Sequence, residues 1–308
     1  MSEDEIRLAL KRIPLFAGRN LGDARYQRLG GLTNRVYRIG FEDGEAYCLR
    51  LPGIGTEDYI DRKVEATNAR AAAAAGVSPE VVHVDPPTGL LLTRFVPGAR
   101  TMSPAGFAAD IGAVRRAGEA LRRLHDSGQR FDFRFELFAM IDDYLGVLDR
   151  LGSALPPGYG DVLTEAQSVR AALGAHPLPL APCHCDPLCE NFLDDGERMW
   201  IVDWEYSGMN DPMWDLGDLS VEGGFDAAQD EALLAAYFGG EASAFDRGRM
   251  VLYKAMCDLL WTLWGLIQHA NGNPADDFWA YALNRFERCK RLMEDPSFAA
   301  HLAAVRAG

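Results

Sequence analysis

Asp186, Asn191 and Asp203 are the residues whose types and spacing could do chemistry. The first two lie in Cys183-His184-Cys185-Asp186-Pro187-Leu188-Cys189-Glu190-Asn191. A strand through Phe192-Leu193, a turn at Asp194-Asp195-Gly196-Glu197 and a returning strand Met199-Trp200-Ile201-Val202 bring Asp203 back beside them. One carboxylate can orient an attacking hydroxyl. An amide and a second carboxylate can hold a divalent cation that neutralises phosphates. Phosphoryl transfer requires that set.

The spacing H-x-D-x-x-x-x-N from His184 to Asn191 equals that of the protein-kinase catalytic loop, and Ile201-Val202-Asp203-Trp204-Glu205 falls where the metal-binding D-F-G segment would be. Turn capping is the bland account of an isolated Asp and Asn, but it explains neither the preceding His nor the Asp after a short hairpin. Cys183, Cys185 and Cys189 with His184 also suggest a zinc cluster. Structural zinc usually takes two separated ligand pairs, and the second pair is missing, so the thiols read as small buried fillers.

These residues need elements to position them. An initial helix over Ile6 to Ile13 precedes strands at Arg25 to Leu29, Arg35 to Phe41 and Ala46 to Leu51. Gly30-Gly31-Leu32-Thr33-Asn34 separates the first two strands. Backbone N–H groups of this turn, with Gly30, Gly31, Thr33 and Asn34 as candidate nucleotide-binding residues, could lie over a nucleotide's phosphates, although any tight hairpin uses such glycines. On the third strand Arg50 shares a face with Cys48, opposite Tyr47, Leu49 and Leu51, and could be the phosphate cation. A helix from Thr56, as its cap, to Ala75 carries Glu65, the expected partner of Arg50; Asp61 competes for that role. Val81 to Val84 and Leu90 to Phe95 complete a small sheet, with an adenine pocket expected along Thr93 to Val96, including Phe95. Val96-Pro97-Gly98 reads as a hinge, dividing an N-lobe (1–95) from a C-lobe (99–308).

Beyond the hinge the pattern is helical: Ala113 to Asp126, Leu137 to Leu151, Val162 to Leu173 and Phe245 to Ala270. Asp215 is expected to hydrogen-bond the backbone of the Asp186 loop, and His125 to serve structure. Trp261 and Trp264 stand three apart on one helix face, with Tyr281 on the next helix. Such rings could hold a quaternary ammonium, although tryptophans at helical spacing usually belong to a core.

Composition agrees with an enzyme of two lobes. The chain has 308 residues and a net charge of −14, with 45 acidic and 31 basic residues, which disfavours nucleic acid and mildly favours a cationic substrate. Six cysteines without a framework suggest reduced thiols in the cytoplasm. No membrane insertion is expected, since no window reads as a spanning segment and the first residues are acidic.

Taken together, Gly30 to Asn34, His184 to Asn191, Ile201 to Tyr206, Asp211 to Leu216 and Trp261 to Gln268 resemble a bacterial member of the choline/ethanolamine kinase family, within the aminoglycoside-phosphotransferase-like group. The resemblance implies an α+β, two-lobed protein-kinase-like fold, ATP with Mg2+, and a small cationic alcohol, choline first, as acceptor. It implies Asp186 as base, Asn191 and Asp203 as magnesium ligands, and Arg50 with Glu65 as phosphate clamp. Trp261, Trp264 and Tyr281 would surround the ammonium group, with Glu205 as a nearby acid. Cys185 and Cys189 are unusual in such a loop. Ethanolamine, thiamine and aminoglycosides are alternative acceptors, the last wanting an acidic pocket rather than an aromatic one. A nucleotide-binding pseudokinase is the alternative of another class.

Overall fold

A computed structural model describes residues 3–30, 34–53 and 60–308. Gly31, Thr33 and Thr56 lie outside these ranges. Helix α1 (Glu3–Lys11) buries Ile6 and Leu10. Five strands follow: β1 (Arg25–Gly30), β2 (Arg35–Gly40), β3 (Ala46–Leu51), and, after helix α2 (Arg62–Ala74), β4 (Val81–Asp85) and β5 (Leu90–Arg94). They form one antiparallel sheet in the order β1-β2-β3-β5-β4. The alternation read on β3 has a physical outcome. Tyr47 and Leu49 enter a small core with Ile39, Leu92 and Leu10, leaving Cys48 and Arg50 on the opposite face.

Helix α2 begins later than its composition suggests. Asp61 is the cap, its carboxylate accepting from the Lys63 and Val64 amides at 2.9 and 3.2 Å, so the expected start at Thr56 is corrected. The first turn then holds Glu65. Ala69 and Ala72 of α2 pack into the larger, helical core.

That core is built from α3 (Pro104–Ala109), α4 (Ile111–His125), α5 (Leu137–Leu151), α6 (Tyr159–Ala175), α7 (Met213–Gly223), α8 (Ala227–Phe238), α9 (Ala244–Ala270), α10 (Phe278–Glu294) and α11 (Phe298–Ala307). Four short strands and β6 (Arg100–Thr101) carry the site: β7 (Ala181–Cys183) pairs with β10 (Gly208–Asn210), and β8 (Phe192–Asp194) with β9 (Met199–Ile201) and β6. The β8–β9 turn is the expected one; Asp195 accepts from the Glu197 and Arg198 amides at 2.9 and 2.8 Å.

Helix α9 is the axle, packed on α5, α7, α10 and α11. By length and composition it could cross a bilayer, which corrects the expectation that no segment would qualify. However, 78% of its apolar window is buried by protein, so little apolar surface remains for lipid. Gly217 lets α7 lie directly on α9: a Cβ there would sit 2.8 Å from the Met250 carbonyl oxygen and 3.0 Å from the Lys254 nitrogen. Backbone cannot swing aside as a side chain can. Gly217→Ala should therefore lower stability by about 1–3 kcal/mol, read by denaturant melting. An unchanged midpoint would mean the two helices separate without cost.

Candidate active site

The loop between β7 and β8 is held by its own backbone. Asp215, wholly buried on α7, accepts from the His184 amide at 2.7 Å and the Cys185 amide at 2.9 Å, as expected. His125 donates from Nε2 to the same carboxylate at 3.0 Å and accepts from the Tyr237 hydroxyl at 2.9 Å. The anchor is thus positioned in turn from α4 and α8. The Trp214 indole donates to the Cys185 carbonyl at 3.1 Å, and Cys185 takes a left-handed conformation, φ 67°.

His184 stitches the two halves of the site. Its Nε2 donates to the Val202 carbonyl at 2.9 Å while Nδ1 accepts from the Asp186 amide at 3.3 Å. This pattern needs a neutral ring, and burial, the main influence, lowers its pKa accordingly. Both nitrogens are committed, so His184 cannot be a metal ligand. Burial also raises the thiol pKa values of Cys183, Cys185 and Cys189, the last to about 12. The committed His184 ring does not fit the zinc alternative.

Asn191 is fixed next. Its Nδ2 donates to the Asp186 carbonyl at 3.0 Å, and its own carbonyl accepts from the Val202 amide at 2.9 Å. The Nδ2 bond leaves the side-chain oxygen as the acceptor atom of this amide. Asp203 follows with φ 69°, and its buried Oδ1 has no hydrogen-bond partner among the described residues, 3.6 Å from the Arg50 guanidinium. Burial pushes Asp203 up to about 7 and Asp186 well above the carboxylate range. The Asp203 carboxyl with its orphaned oxygen and the Asn191 side-chain amide oxygen make a donor set that suits a hard divalent cation.

On the sheet side, Arg50 is 6% exposed, contacts Glu65, and donates to Glu205 at 2.9 Å and to the Gly89 carbonyl at 3.1 Å. Arg62 joins Glu65 at 2.8 Å and also meets Glu205. The choice between Glu65 and Asp61 is settled for Glu65, because Asp61 is occupied in capping α2. Glu205 is a correction. It was expected beside the acceptor, but the turn after the left-handed Asp203 sends it back to Arg50, Arg62 and Asn34, whose Nδ2 donates to it at 3.0 Å. Asn34 therefore holds Glu205. Gly30 forms a bulge opposite Val36, with Arg28 displaced in register. Thr93 pairs with Cys48 across β5 and β3, and Arg38 lies over the Phe95 ring, 4.7 Å to its centroid.

The aromatic group does assemble. The rings of Trp261 and Trp264 meet edge to face at 6.3 Å, Trp264 and Tyr281 at 5.7 Å, and Tyr206 and Trp261 at 5.6 Å. Trp261 is only 4% exposed and belongs to the core as much as to a pocket, whereas Trp264 and Tyr281 are half-buried. Gly265 admits the Tyr281 ring, which a Cβ would meet at 2.6 Å. Burial raises the Tyr281 pKa, opposed by Arg285, whose guanidinium lies over the Tyr281 ring at 4.6 Å to its centroid and contacts Glu222.

A wall of acids beside Asp186 escaped the sequence reading. Asp218 and Glu222 follow Asp215 at helical spacing on α7, and both raise the Asp186 pKa, after burial itself. Cys257 on α9 donates its thiol to Asp218 Oδ1 at 2.9 Å. Arg285 contacts Glu222 and lies 3.2 Å from Asp258, which Arg288 binds through two bonds at 2.6 and 2.7 Å. The only available signal was the i, i+3, i+7 acid pattern, which on a helix after a proline reads equally well as N-terminal charge. Arg285, over the Tyr281 ring and in contact with Glu222, joins the aromatic group to these acids.

The comparisons with known proteins agree with this geometry. Residues 26–253 match the model of the phosphotransferase enzyme family. A choline/ethanolamine kinase family protein from Mesorhizobium loti, known as a crystal structure, is 65% identical over 100% of both chains, with a TM-score of 0.92. The choline kinase LicA from Streptococcus pneumoniae is 25% identical, covering 94% of this chain and 99% of the other, with a TM-score of 0.76. The protein LicA of Haemophilus influenzae strain KW20 is 26% identical across 86% of this chain and 99% of its own length. With family match, site geometry and the Mesorhizobium loti likeness in agreement, the chain belongs to the phosphotransferase enzyme family and, within it, to the choline/ethanolamine kinases.

Proposed function

We propose that this chain transfers the γ-phosphoryl group of ATP to the hydroxyl of choline, giving phosphocholine and ADP. The observation that carries the reading is that Asn191 is hydrogen-bonded to the Asp186 carbonyl and to the amide of Val202, the residue before Asp203, whose carboxylate lies 3.6 Å from the Arg50 guanidinium paired with Glu65. The choline hydroxyl oxygen attacks the γ-phosphorus in line. Asp186 orients that hydroxyl and takes its proton late, since a carboxylate is too weak a base to remove an alcohol's proton early. Arg50, kept in place by Glu65 and Glu205, faces the α and β phosphates, and Thr93 to Val96 line the adenine. Asn191 and Asp203 would hold Mg2+, which when bound supplies charge neutralisation at the phosphates. We place the hinge at 96–98, between lobes 1–95 and 99–308, and the protein in the cytoplasm.

The test is ADP release with choline, ethanolamine, thiamine and kanamycin as acceptors. Choline should give the highest kcat/KM, and preference for kanamycin would overturn the reading. Trp264→Ala should raise the choline KM at least about tenfold, since a desolvated cation–π contact is worth about 2 kcal/mol. The ATP KM should move little. Equal rises in both would assign the ring to the core alone.

A further inference from the structure

Asn68 stands one turn beyond Glu65 on α2, wholly buried, and both ends of its side-chain amide are engaged. Its Nδ2 donates to the Ser207 carbonyl at 2.9 Å and to the Ser207 hydroxyl at 3.1 Å, and its Oδ1 accepts from the Asp132 amide at 3.1 Å. Ser207 is fixed in turn, its hydroxyl donating to the Trp204 carbonyl at 2.6 Å. Trp204 directly follows Asp203, and its indole donates to the hydroxyl of Ser78, just past the end of α2, at 3.1 Å. Helix α2 is thus fastened at two points to segment 203–207, while Ala69 and Ala72 bury it in the larger, helical core. Arg50 belongs to the other core. Its strand, β3, sends Tyr47 and Leu49 into the cluster under the sheet. The Arg50–Glu65 pair therefore crosses a seam, and Glu65 meets Arg50 where α2 places it.

We infer that Asn68 is a positioning residue for nucleotide binding: it sets α2 against segment 203–207, so that Glu65 and Glu205 grip Arg50 at one fixed place beside Asp203. The inference rests on the Arg50–Glu65 phosphate clamp of the reading above and adds the residue that ties this clamp to the Asp203 side. Asn68 acts through its neighbours. Glu65 comes from α2 and Glu205 from the segment after Asp203, and Arg50 contacts both. Asn68, bonded from α2 to Ser207, joins the two backbones that carry these acids. Without it, Ser207 and Asp132 lose a buried partner, and α2 is released to shift along the segment. The two carboxylates then no longer converge on one guanidinium position, and the cation is misplaced for the phosphates.

The experiment measures equilibrium binding of a fluorescent ATP analogue with Mg2+, a readout that needs no acceptor. It compares the full chain with Asn68→Ala, Glu65→Gln and the double variant. Asn68→Ala should raise the Kd at least about fivefold, within the range for a residue coupled to a site it does not touch. In the Glu65→Gln background the same change should add less than about twofold, because the two residues act in series. The choline KM at saturating ATP should move less than about twofold, since the acceptor side is untouched. A merely structural Asn68 would lower the melting temperature and leave the Kd unmoved. That result, or full additivity with Glu65→Gln, would overturn the inference. A parental Kd in Glu65→Gln alone would defeat the phosphate clamp and the inference with it. The expected binding pattern in an enzyme that does not turn over choline would uphold the inference and defeat the acceptor assignment. Should Asn68→Ala fail to fold, Ser207→Ala removes one of the three bonds and keeps the carbonyl partner. It should raise the Kd at least about twofold, again without adding to Glu65→Gln, and an unchanged Kd would overturn the inference.

Discussion

Asp186→Asn should retain nucleotide binding while its turnover falls by about 10²- to 10⁴-fold, the range for a positioned proton acceptor. The substitution preserves shape and removes the charge. Asn191 contacts the Asp186 carbonyl and His184 its amide, so neither anchor depends on the altered side chain. The loop should keep its course. Burial disfavours an ionised carboxyl at this position, so the variant should melt no lower than the parent. Equilibrium titration with a fluorescent ATP analogue, beside a steady-state assay, separates the two effects. Turnover within a few-fold of the parent would remove Asp186 from the reaction.

Asp203→Asn should cost at least about 10²-fold in kcat/KM, because a cation at the phosphates supplies several kcal/mol of charge stabilisation. It should also raise the Mg2+ concentration needed for half-maximal rate. Two features make the site unusually dependent on this side chain. Oδ1 has no hydrogen-bond partner among the described residues, and burial together with Glu205 moves the carboxyl up to about 7 against the pull of Arg50. A structural residue would show the opposite signature, with stability lost and the metal requirement unmoved. Melting temperature and a Mg2+ titration on one preparation decide between them.

How much was legible beforehand depended on whether the determining contact was local. The β8–β9 hairpin, the face of β3 that carries Arg50, and the paired tryptophans follow from period and turn chemistry within a few residues. Asp215 was also readable, since a buried acid shortly after a reaction loop has backbone amides within reach. The misreadings arose where distant segments compete for one group. Glu205 has the same spacing from Asp203 whether it faces the acceptor or Arg50, and the left-handed backbone at Asp203 made the choice. The start of α2 turned on Asp61, read beforehand as a rival partner for Arg50 and found instead to cap the helix. Asp218 and Glu222 gain meaning only when α7 is laid on α9 and α10, an arrangement that Gly217 permits and no local pattern announces.

Cys185 and Asp203, the two non-glycine residues with positive φ among those described, bracket the reaction centre. Such a backbone costs an ordinary side chain of order 1 kcal/mol or more, recoverable by glycine. A laboratory search for heat-tolerant variants will therefore be drawn to position 185 first. Glycine there would relax the bend but surrender the rigidity that Asp215 and Trp214 impose on it. The hardiest descendants of this chain should be its slowest, and screens that score survival without rate would select against the enzyme they set out to improve.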